Sequence, residues 1–164
     1  MRERKLRFAL FFAINLCAVA LDQWTKALAV RYLKGAEARK LWEGVFSLTY
    51  LENRGAAFGM MQGKQWLFFV IAAVVLAGVC YVLYRMPDGR RYLPLTLSLS
   101  FICSGAVGNM IDRIRQGYVV DFFYFSLIDF PVFNVADIYV TVATVALMGL
   151  LLFYYKEDEF AFLR

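Results

Sequence analysis

Four apolar runs, each long enough to cross a lipid bilayer, are the strongest constraint on how this chain can fold. A transmembrane helix needs about 20 mostly apolar residues, and the runs cover residues 8–30, 66–84, 92–111 and 135–155. Hydrophobic residues make up 62% of the 164 residues, well above the roughly 45–50% usual in soluble domains. We therefore predict an all-α membrane protein in which residues 1–164 form a single membrane-embedded domain.

Basic residues beside these runs predict the orientation of the helices, because Lys and Arg concentrate in short cytoplasmic segments. They flank the first run and fill the loop between the second and third: Arg2, Arg4, Lys5 and Arg7, then Arg85, Arg90 and Arg91. Both termini are therefore predicted to be cytoplasmic. Topology also explains the net charge of +5, and we expect no binding to nucleic acid.

The first run also imitates a cleavable leader peptide. Basic residues, an apolar stretch and the small-residue sequence Ala18-Val19-Ala20 form that pattern. The apolar pattern continues to Val30 and three more runs follow. We therefore favour a retained transmembrane helix.

Two segments are predicted to lie outside the membrane on the opposite side. Residues 31–65 form a loop too long to be a simple connector. Within it, residues 46–52 (FSLTYLE) are rich in β-branched and aromatic side chains, which is typical of a strand. We predict a small sheet on the outer membrane surface, followed later by a second, shorter outer segment at residues 112–134.

The absence of histidine narrows the chemistry that the chain can perform. It excludes Ser-His-Asp triads and Cys-His pairs. It also excludes the usual zinc sites that use imidazole, and three cysteines are too few for a four-cysteine site. Acid–base chemistry would have to use carboxyls, Lys, Tyr or Cys.

Ionisable residues at membrane depth are costly and mark candidate functional sites. At a rise of about 1.5 Å per residue, Asp22 lies about 21 Å beyond Phe8, and Asp112 lies about 30 Å beyond Tyr92. Asp137 stands at the outer start of the fourth run. Three acids from three helices are therefore predicted to converge near the outer face of the bilayer.

Local spacing adds detail to this cluster. Asn109 and Asp112 are three residues apart and share a helix face. Asn134 and Asp137 have the same spacing where a helix begins, and Asn is a favourable N-cap there. Asp121 is enclosed by apolar residues in the sequence VVDFF, and such surroundings raise the pKa of a carboxyl.

Asp121 and Asp137 are the best candidates for a catalytic pair. Residues 122–133 are long enough to fold back and bring them together. Two neighbouring carboxyls share one proton, so that one is a base and the other an acid. Such a pair can activate water against a peptide carbonyl without histidine.

Each acid also has a purely structural interpretation. An ion pair with Arg113 at the membrane interface would explain Asp112, and Arg113 is expected to pair with an acid. A hydrogen bond between helices would explain Asp22, and an interaction with the helix dipole would explain Asp137. Asp121 alone fits an acid in an interfacial loop.

Five stretches in order make the chain resemble the lipoprotein signal peptidases, also called signal peptidase II, a family of bacterial membrane aspartic proteases. They are residues 21–26 (LDQWTK), 53–59 (NRGAAFG), 108–113 (GNMIDR), 119–122 (VVDF) and 133–137 (FNVAD). Each motif alone is weak. The ordered set is specific, and the resemblance covers about residues 8–155.

The resemblance implies that Asp121 and Asp137 are the catalytic residues of an endopeptidase that needs no metal and no cofactor. It implies that further residues surround the site and hold or orient the substrate: Asp22, Asn53, Gly55, Asn109, Asp112, Arg113 and Asn134. The implied fold has four transmembrane helices, a small extracytoplasmic β-cradle and a mobile loop. Ile138 and Tyr139 follow the last motif with more bulk than is usual there, and we expect Tyr139 to reshape the pocket wall.

The same resemblance implies the substrate and the cellular location. The substrates would be diacylglyceryl-modified prolipoproteins, cut just before the lipidated cysteine. Membrane lipid and peptide inhibitors of the globomycin type would be the other partners. The protein would lie in the bacterial cytoplasmic (inner) membrane, with its active site near the extracytoplasmic face.

Three other functions remain open on the residues alone. A proton-coupled transporter would use the acids as a relay, although the chain lacks the paired repeats and broken helices typical of transporters. A Ser/Lys membrane protease would use Ser104 with Lys26. In a non-enzymatic membrane assembly factor the acid pair would be incidental.

Overall fold

Four long helices and a small sheet make up the protein. The computed structural model describes residues 2–55 and 65–163. The helices are α1 (Arg2–Leu33), α2 (Gln65–Arg85), α3 (Leu93–Gln116) and α4 (Val135–Gly149), and the strands are β1 (Arg39–Trp42), β2 (Phe46–Asn53) and β3 (Val119–Tyr124). Within these ranges, four helical segments are long and apolar enough to cross a membrane: Glu3–Leu33, Trp66–Arg85, Arg90–Gln116 and Val135–Tyr154. The predicted architecture of four transmembrane helices with a small sheet is confirmed.

The helices α1, α2 and α3 extend beyond their apolar runs, whereas α4 ends at Gly149 and a π-helical segment continues it over Leu150–Tyr154. The 32 residues of α1 are about 48 Å long at the standard helical rise, which exceeds the roughly 30 Å of the hydrocarbon core. The third helix continues past the predicted end at residue 111 and stops at Gly117, which has a φ of 77°. Glycine adopts this left-handed conformation without steric cost, and its N–H closes the helix on the carbonyl oxygen of Arg113.

The sheet has three antiparallel strands in the order β1-β2-β3. The predicted strand over residues 46–52 is confirmed as β2. The expectation that the sheet comes from residues 31–65 is incomplete, because β3 belongs to the second outer segment. In the pairing of β2 with β3, Leu51 lies opposite Asp121 and Asn53 lies opposite Val119. This register brings Asn53, the first residue of the second motif, beside the fourth motif.

The sheet is fixed to the end of α1 by an apolar cluster. Ala29 and Leu33 of α1 pack with Val120 and Phe122 of β3, and all four are buried. Because side chains alternate along a strand, Val120 and Phe122 face this cluster. Asp121, between them, points to the other face of the strand.

The third helix is the centre of the bundle, since it packs against α1, α2 and α4. Two glycines allow these close approaches. A Cβ at Gly105 would overlap the carbonyl oxygen of Ala136 and come within 2.5 Å of Val140 Cγ2. A Cβ at Gly108 would lie 2.5 Å from Asp22 Oδ2. The C-terminal half of α3 is therefore close to both α1 and α4.

We expect Gly105→Ala to destabilise the protein by about 1–3 kcal/mol, because the methyl group would force α3 and α4 apart. The matched control is Gly78→Ala on α2, where no neighbouring atom lies within 4 Å of the added Cβ. That variant should keep or slightly raise stability, since Ala favours helices over Gly. Thermal unfolding in detergent micelles measures the difference. Equal melting temperatures for both variants would contradict the close packing.

Candidate active site

Asp121 and Asp137 line the same cavity. Asp121 projects from the middle of β3, and Asp137 lies in the first turn of α4. The cavity has a volume of about 590 Å³. Asp121 is 1% exposed, whereas Asp137 is half-buried. The structure therefore brings together the two acids that the sequence singled out.

Two asparagines link the carboxyls by hydrogen bonds. The Nδ2 of Asn134 donates to Asp121 Oδ1 over 2.6 Å and to Asn109 Oδ1 over 3.1 Å. The Nδ2 of Asn109 donates to Asp137 Oδ1 over 2.8 Å. A chain of amide groups thus runs from one acid to the other. The remaining oxygen of Asp121 accepts from Asn53 Nδ2 over 2.8 Å.

The start of α4 fixes the position of Asp137. Asn134 is the N-cap, and its Oδ1 accepts from the N–H of Asp137 over 3.1 Å. In return, Asp137 Oδ2 accepts from the N–H of Asn134 over 3.0 Å, which completes a capping box. The predicted N-cap is confirmed. Asp137 therefore stabilises the helix terminus and still lines the cavity.

Asp22 and Asp112 lie behind the cavity, where both are buried. Lys26 joins them, with its Nζ 3.0 Å from Asp22 Oδ2 and 3.1 Å from Asp112 Oδ2. Gln23 Nε2 adds hydrogen bonds to the same two carboxyls. The interpretation of Asp112 as an ion-pair partner of Arg113 at the membrane interface is wrong, because Asp112 pairs with Lys26 inside the bundle.

Arg113 lies at the wall of the cavity. Its guanidinium donates to the carbonyl oxygen of Gly55 over 3.2 Å and to that of Asn109 over 3.4 Å. It also lies over the ring of Phe68, 4.3 Å from the centroid. The expected ion pair with an acid is thus replaced by bonds to carbonyl groups. These bonds fix the turn after β2.

Asn53 and Gly55 form that turn. The N–H of Gly55 donates to Asn53 Oδ1 over 3.0 Å, while the amide nitrogen of Asn53 faces Asp121. The side chain of Asn53 therefore shapes the turn and contacts the acid at once. Residues 56–59 of the same motif lie outside the described residues.

The pKa of Asp121 is raised to about 7, mainly by burial and also by the nearby Asp137 carboxyl. Hydrogen bonds from Asn53 and Asn134 act in the opposite direction. The apolar surroundings in the sequence predicted this direction. Near neutral pH, Asp121 can therefore hold or release a proton.

We expect the stability of the protein to fall as pH rises from about 5 to about 8. The folded pKa of about 7 lies above the ordinary value of 3.8, so the folded state binds more protons between these values. The stabilisation is complete below the lower pKa and is lost as pH rises through the higher one. The expected loss is about 3 kcal/mol, at about 1.4 kcal/mol for each pH unit between 5 and the folded pKa of about 7. Asp121→Asn should flatten this slope in thermal unfolding, and an unchanged slope would contradict the raised pKa.

The rest of the cavity wall is mainly apolar. Its side chains come from the segment after β3 and from α4: Phe125, Ile128, Phe130, Phe133, Ile138 and Val142. Tyr139 instead lines the neighbouring groove between α3 and α4, with its ring 5.5 Å from that of Phe101. The expectation that Tyr139 shapes the pocket wall is wrong, and Ile138 takes that position.

The geometry argues against a Ser/Lys protease. The hydroxyl of Ser104 donates to Asn15 Oδ1 and to the carbonyl oxygen of Ser100, whereas Lys26 binds Asp22 and Asp112. A Ser/Lys pair is therefore not formed. Across residues 2–55 and 65–163, the His, Cys, Asp and Glu side chains form no group of three able to hold a metal ion.

Comparison with known proteins assigns this arrangement to a family. The family model described as signal peptidase (SPase) II matches residues 14–153. The chain belongs to the signal peptidase II family. The resemblance seen in the five motifs is confirmed. The protein is thus a bacterial multi-pass membrane peptidase of the aspartic type, and the transporter alternative has no support.

Several relatives are similar over most of their length. The lipoprotein signal peptidase of Brevibacillus brevis is 46% identical over 132 residues, which cover 80% of this chain and 87% of the relative. That of Streptococcus thermophilus is 44% identical over 144 residues, which cover 88% of this chain and 91% of the relative. That of Geobacillus thermodenitrificans is 38% identical over 155 residues, which cover 93% of this chain and 95% of the relative.

Solved structures of bacterial membrane enzymes share the fold. One, solved by the in meso method at 2.3 Å resolution, has a TM-score of 0.80 and 30% identity and covers 91% of this chain and 93% of its own. A second, solved by the same method at 1.9 Å resolution, has a TM-score of 0.78 and 30% identity. It covers 90% of this chain and 95% of its own.

Proposed function

We propose that this signal peptidase II cleaves diacylglyceryl-modified prolipoproteins just before the lipidated cysteine, with Asp121 and Asp137 as the catalytic pair. One observation carries the proposal. The two carboxyls line one cavity, and Asn134 and Asn109 connect them by hydrogen bonds. Such a pair can share one proton, and so supplies a base and an acid in one site.

The reaction needs one ionised and one protonated aspartate. The ionised carboxylate takes a proton from water while the protonated carboxyl donates a hydrogen bond to the scissile carbonyl oxygen. Attack of the water oxygen gives a tetrahedral intermediate. A proton then passes to the leaving amine of the lipidated cysteine as the C–N bond breaks. Because the two groups titrate as a pair, either can be the first base.

The other wall residues support binding of an extended peptide. Asn53, Gly55 and Arg113 line the cavity, and we propose that they contact the substrate backbone. The apolar wall suits the end of a signal peptide and the attached lipid. A substrate that arrives from lipid gains little from apolar burial, so we propose that polar contacts and shape determine specificity. Globomycin-type peptides would occupy the same cavity.

We propose that the cavity faces the extracytoplasmic side and that both termini are cytoplasmic. Arg7 donates to the carbonyl oxygens of Met86 and Pro87, so the N-terminal basic residues and the loop after α2 lie at one end of the bundle. The sheet packs on the other end of α1, at Ala29 and Leu33. Basic residues favour the cytoplasmic end. We also propose that the sheet and the helices form one peptidase domain.

Purified protein and a synthetic prolipoprotein peptide with a diacylglyceryl cysteine test this function. Mass spectrometry should detect a single cut immediately before that cysteine. The cut should persist with chelators and serine reagents and stop with a globomycin-type inhibitor. The matched control peptide has an unmodified cysteine and should remain intact. A different cleavage site, or equal cleavage of both peptides, would overturn the proposal.

A further inference from the structure

Lys26 is a buried cation behind the catalytic pair. It is 3% exposed, and it does not line the cavity that holds Asp121 and Asp137. Its Nζ contacts Asp22 Oδ2 and Asp112 Oδ2 at 3.0 and 3.1 Å. A buried lysine is unusual unless it is paired, and this one is paired with two carboxylates from different helices.

Each of these two carboxylates also holds the backbone next to one catalytic residue. Asp22 Oδ1 accepts from the N–H of Ala136 over 3.0 Å, and Ala136 directly precedes Asp137. Asp112 Oδ2 accepts from the N–H of Val120 over 3.1 Å, and Val120 directly precedes Asp121. The lysine thus joins two matched contacts, one on α4 and one on β3.

A third contact of Lys26 reaches the side chains of the site. Its Nζ donates to Asn109 Oδ1 over 2.8 Å. A lysine ammonium is only a donor, so the oxygen of Asn109 must face it, and the amide nitrogen is left to face Asp137 Oδ1. The same oxygen accepts from Asn134 Nδ2, whose other contact is Asp121. The lysine therefore sets the direction of the amide chain between the two acids.

We propose that Lys26 is a positioning residue that sets the spacing of Asp121 and Asp137 and the orientation of Asn109 between them. This inference rests on the proposed function, because it takes the two aspartates as the reacting groups. Lys26 touches neither water nor peptide in this scheme. It acts through Asp22, Asp112 and Asn109.

Removal of the lysine changes both geometry and charge. Asp22 and Asp112 would be left as buried like charges that repel each other. Asn109 would be free to turn its oxygen toward Asp137. The charged groups that face the catalytic pair come from two helices, Lys26 and Asp22 from α1 and Asp112 and Arg113 from α3. Loss of the positive charge of Lys26 disfavours the ionised form of Asp121.

The test compares Lys26→Met with Lys34→Met in the purified full-length enzyme. Lys34 makes a salt bridge of the same length, 3.0 Å to Glu52, but is exposed. We expect Lys26→Met to lower kcat about 100-fold, the effect of a displacement of about 1 Å in reacting groups, with KM within about twofold. The acid limb of its pH–rate profile should move to higher pH. Lys34→Met should have the kcat, the KM and the pH–rate profile of the wild type.

Lys26→Arg and Lys26→Gln sharpen the comparison. Arg is also only a donor and keeps the charge, so it should restore more of kcat than Gln, which can present either an oxygen or a nitrogen. If Lys26→Met does not yield folded protein, Lys26→Gln takes its place in the same measurements. Equal kcat in folded Lys26 variants and wild type would overturn the inference, as would a fall in kcat with an unchanged pH–rate profile.

The two proposals fail in different ways. If Asp121→Asn or Asp137→Asn still cleaves normally, the proposed function fails. If those variants are inactive and folded Lys26→Met keeps the wild-type kcat and pH–rate profile, only the role of Lys26 fails.

Discussion

Asp121→Asn and Asp137→Asn should each lower kcat/KM for the lipidated peptide by at least about 10³-fold, because an amide can neither accept the proton of water nor deliver one. Both variants should remain folded, since Asn keeps the size of Asp. At position 137 it also keeps an acceptor oxygen for the capping box. Cleavage measured with the diacylglyceryl peptide gives the rate, and thermal unfolding in detergent verifies the fold.

Asp129→Asn is the matched control. Asp129 belongs to the same outer segment and is exposed, and its carboxyl accepts from the hydroxyl of Tyr124. Its φ of 47° is a conformation that Asn tolerates well. This variant should cleave like the wild type. Normal processing by either Asp121→Asn or Asp137→Asn would refute the catalytic assignment.

Replacement of Asn134 should have the next largest effect. This residue is fully buried, and its amide donates to Asp121 Oδ1 and to Asn109 Oδ1. Hydrogen bonds to charged groups contribute about 1.5–3 kcal/mol. We therefore expect Asn134→Ser to lower kcat about 100-fold, since the shorter hydroxyl cannot reach both partners.

Asn134→Ala separates this effect from helix capping. Ser keeps the N-cap acceptor and Ala does not, so Ala should cost about 1 kcal/mol more in stability. The two variants should nevertheless show similar losses of kcat, because both lack the amide donor. Unfolding and cleavage are measured on the same preparations. If Asn134→Ala lost stability but kept the kcat of the wild type, the role of Asn134 would be limited to capping α4.

Sequence reasoning predicted the parts of the fold that depend on local patterns. Length and apolar content indicated the four membrane helices, and β-branched and aromatic residues indicated β2. The start of α4 could be predicted from Asn134 and Asp137, because an N-cap and its partner are neighbours in sequence. Counting along helices was also enough to expect Asp22 near the start of α4, where it binds the N–H of Ala136.

What the sequence could not indicate depends on contacts between distant segments. The four residues of β1 are all exposed, so they carry no alternation of buried and exposed positions. The strand β3 is a short apolar run, which alone is ambiguous between helix and strand. Its pairing with β2 joins residues far apart in the chain.

The residues of the candidate site were likewise predicted only in part. Asp121 and Asp137 stood out because carboxyls amid apolar residues are rare. Lys26 was considered only as a partner of Ser104. Its pairing with Asp112 could not be predicted, because Asp112 is on another helix. Arg113 was assigned to an acid because Asp112 is its neighbour in sequence. Consecutive residues on a helix point in different directions, and the structure separates the two.

A double-mutant cycle on the aspartate pair tests the central claim most directly. Single-turnover cleavage of the diacylglyceryl peptide would be compared for wild type, Asp121→Asn, Asp137→Asn and the double variant. If the two carboxyls act as one unit, the double variant is no slower than either single variant, because each substitution already removes the pair. Rate losses that multiply in the double variant, or a single variant that retains the wild-type rate, would contradict the shared role of Asp121 and Asp137.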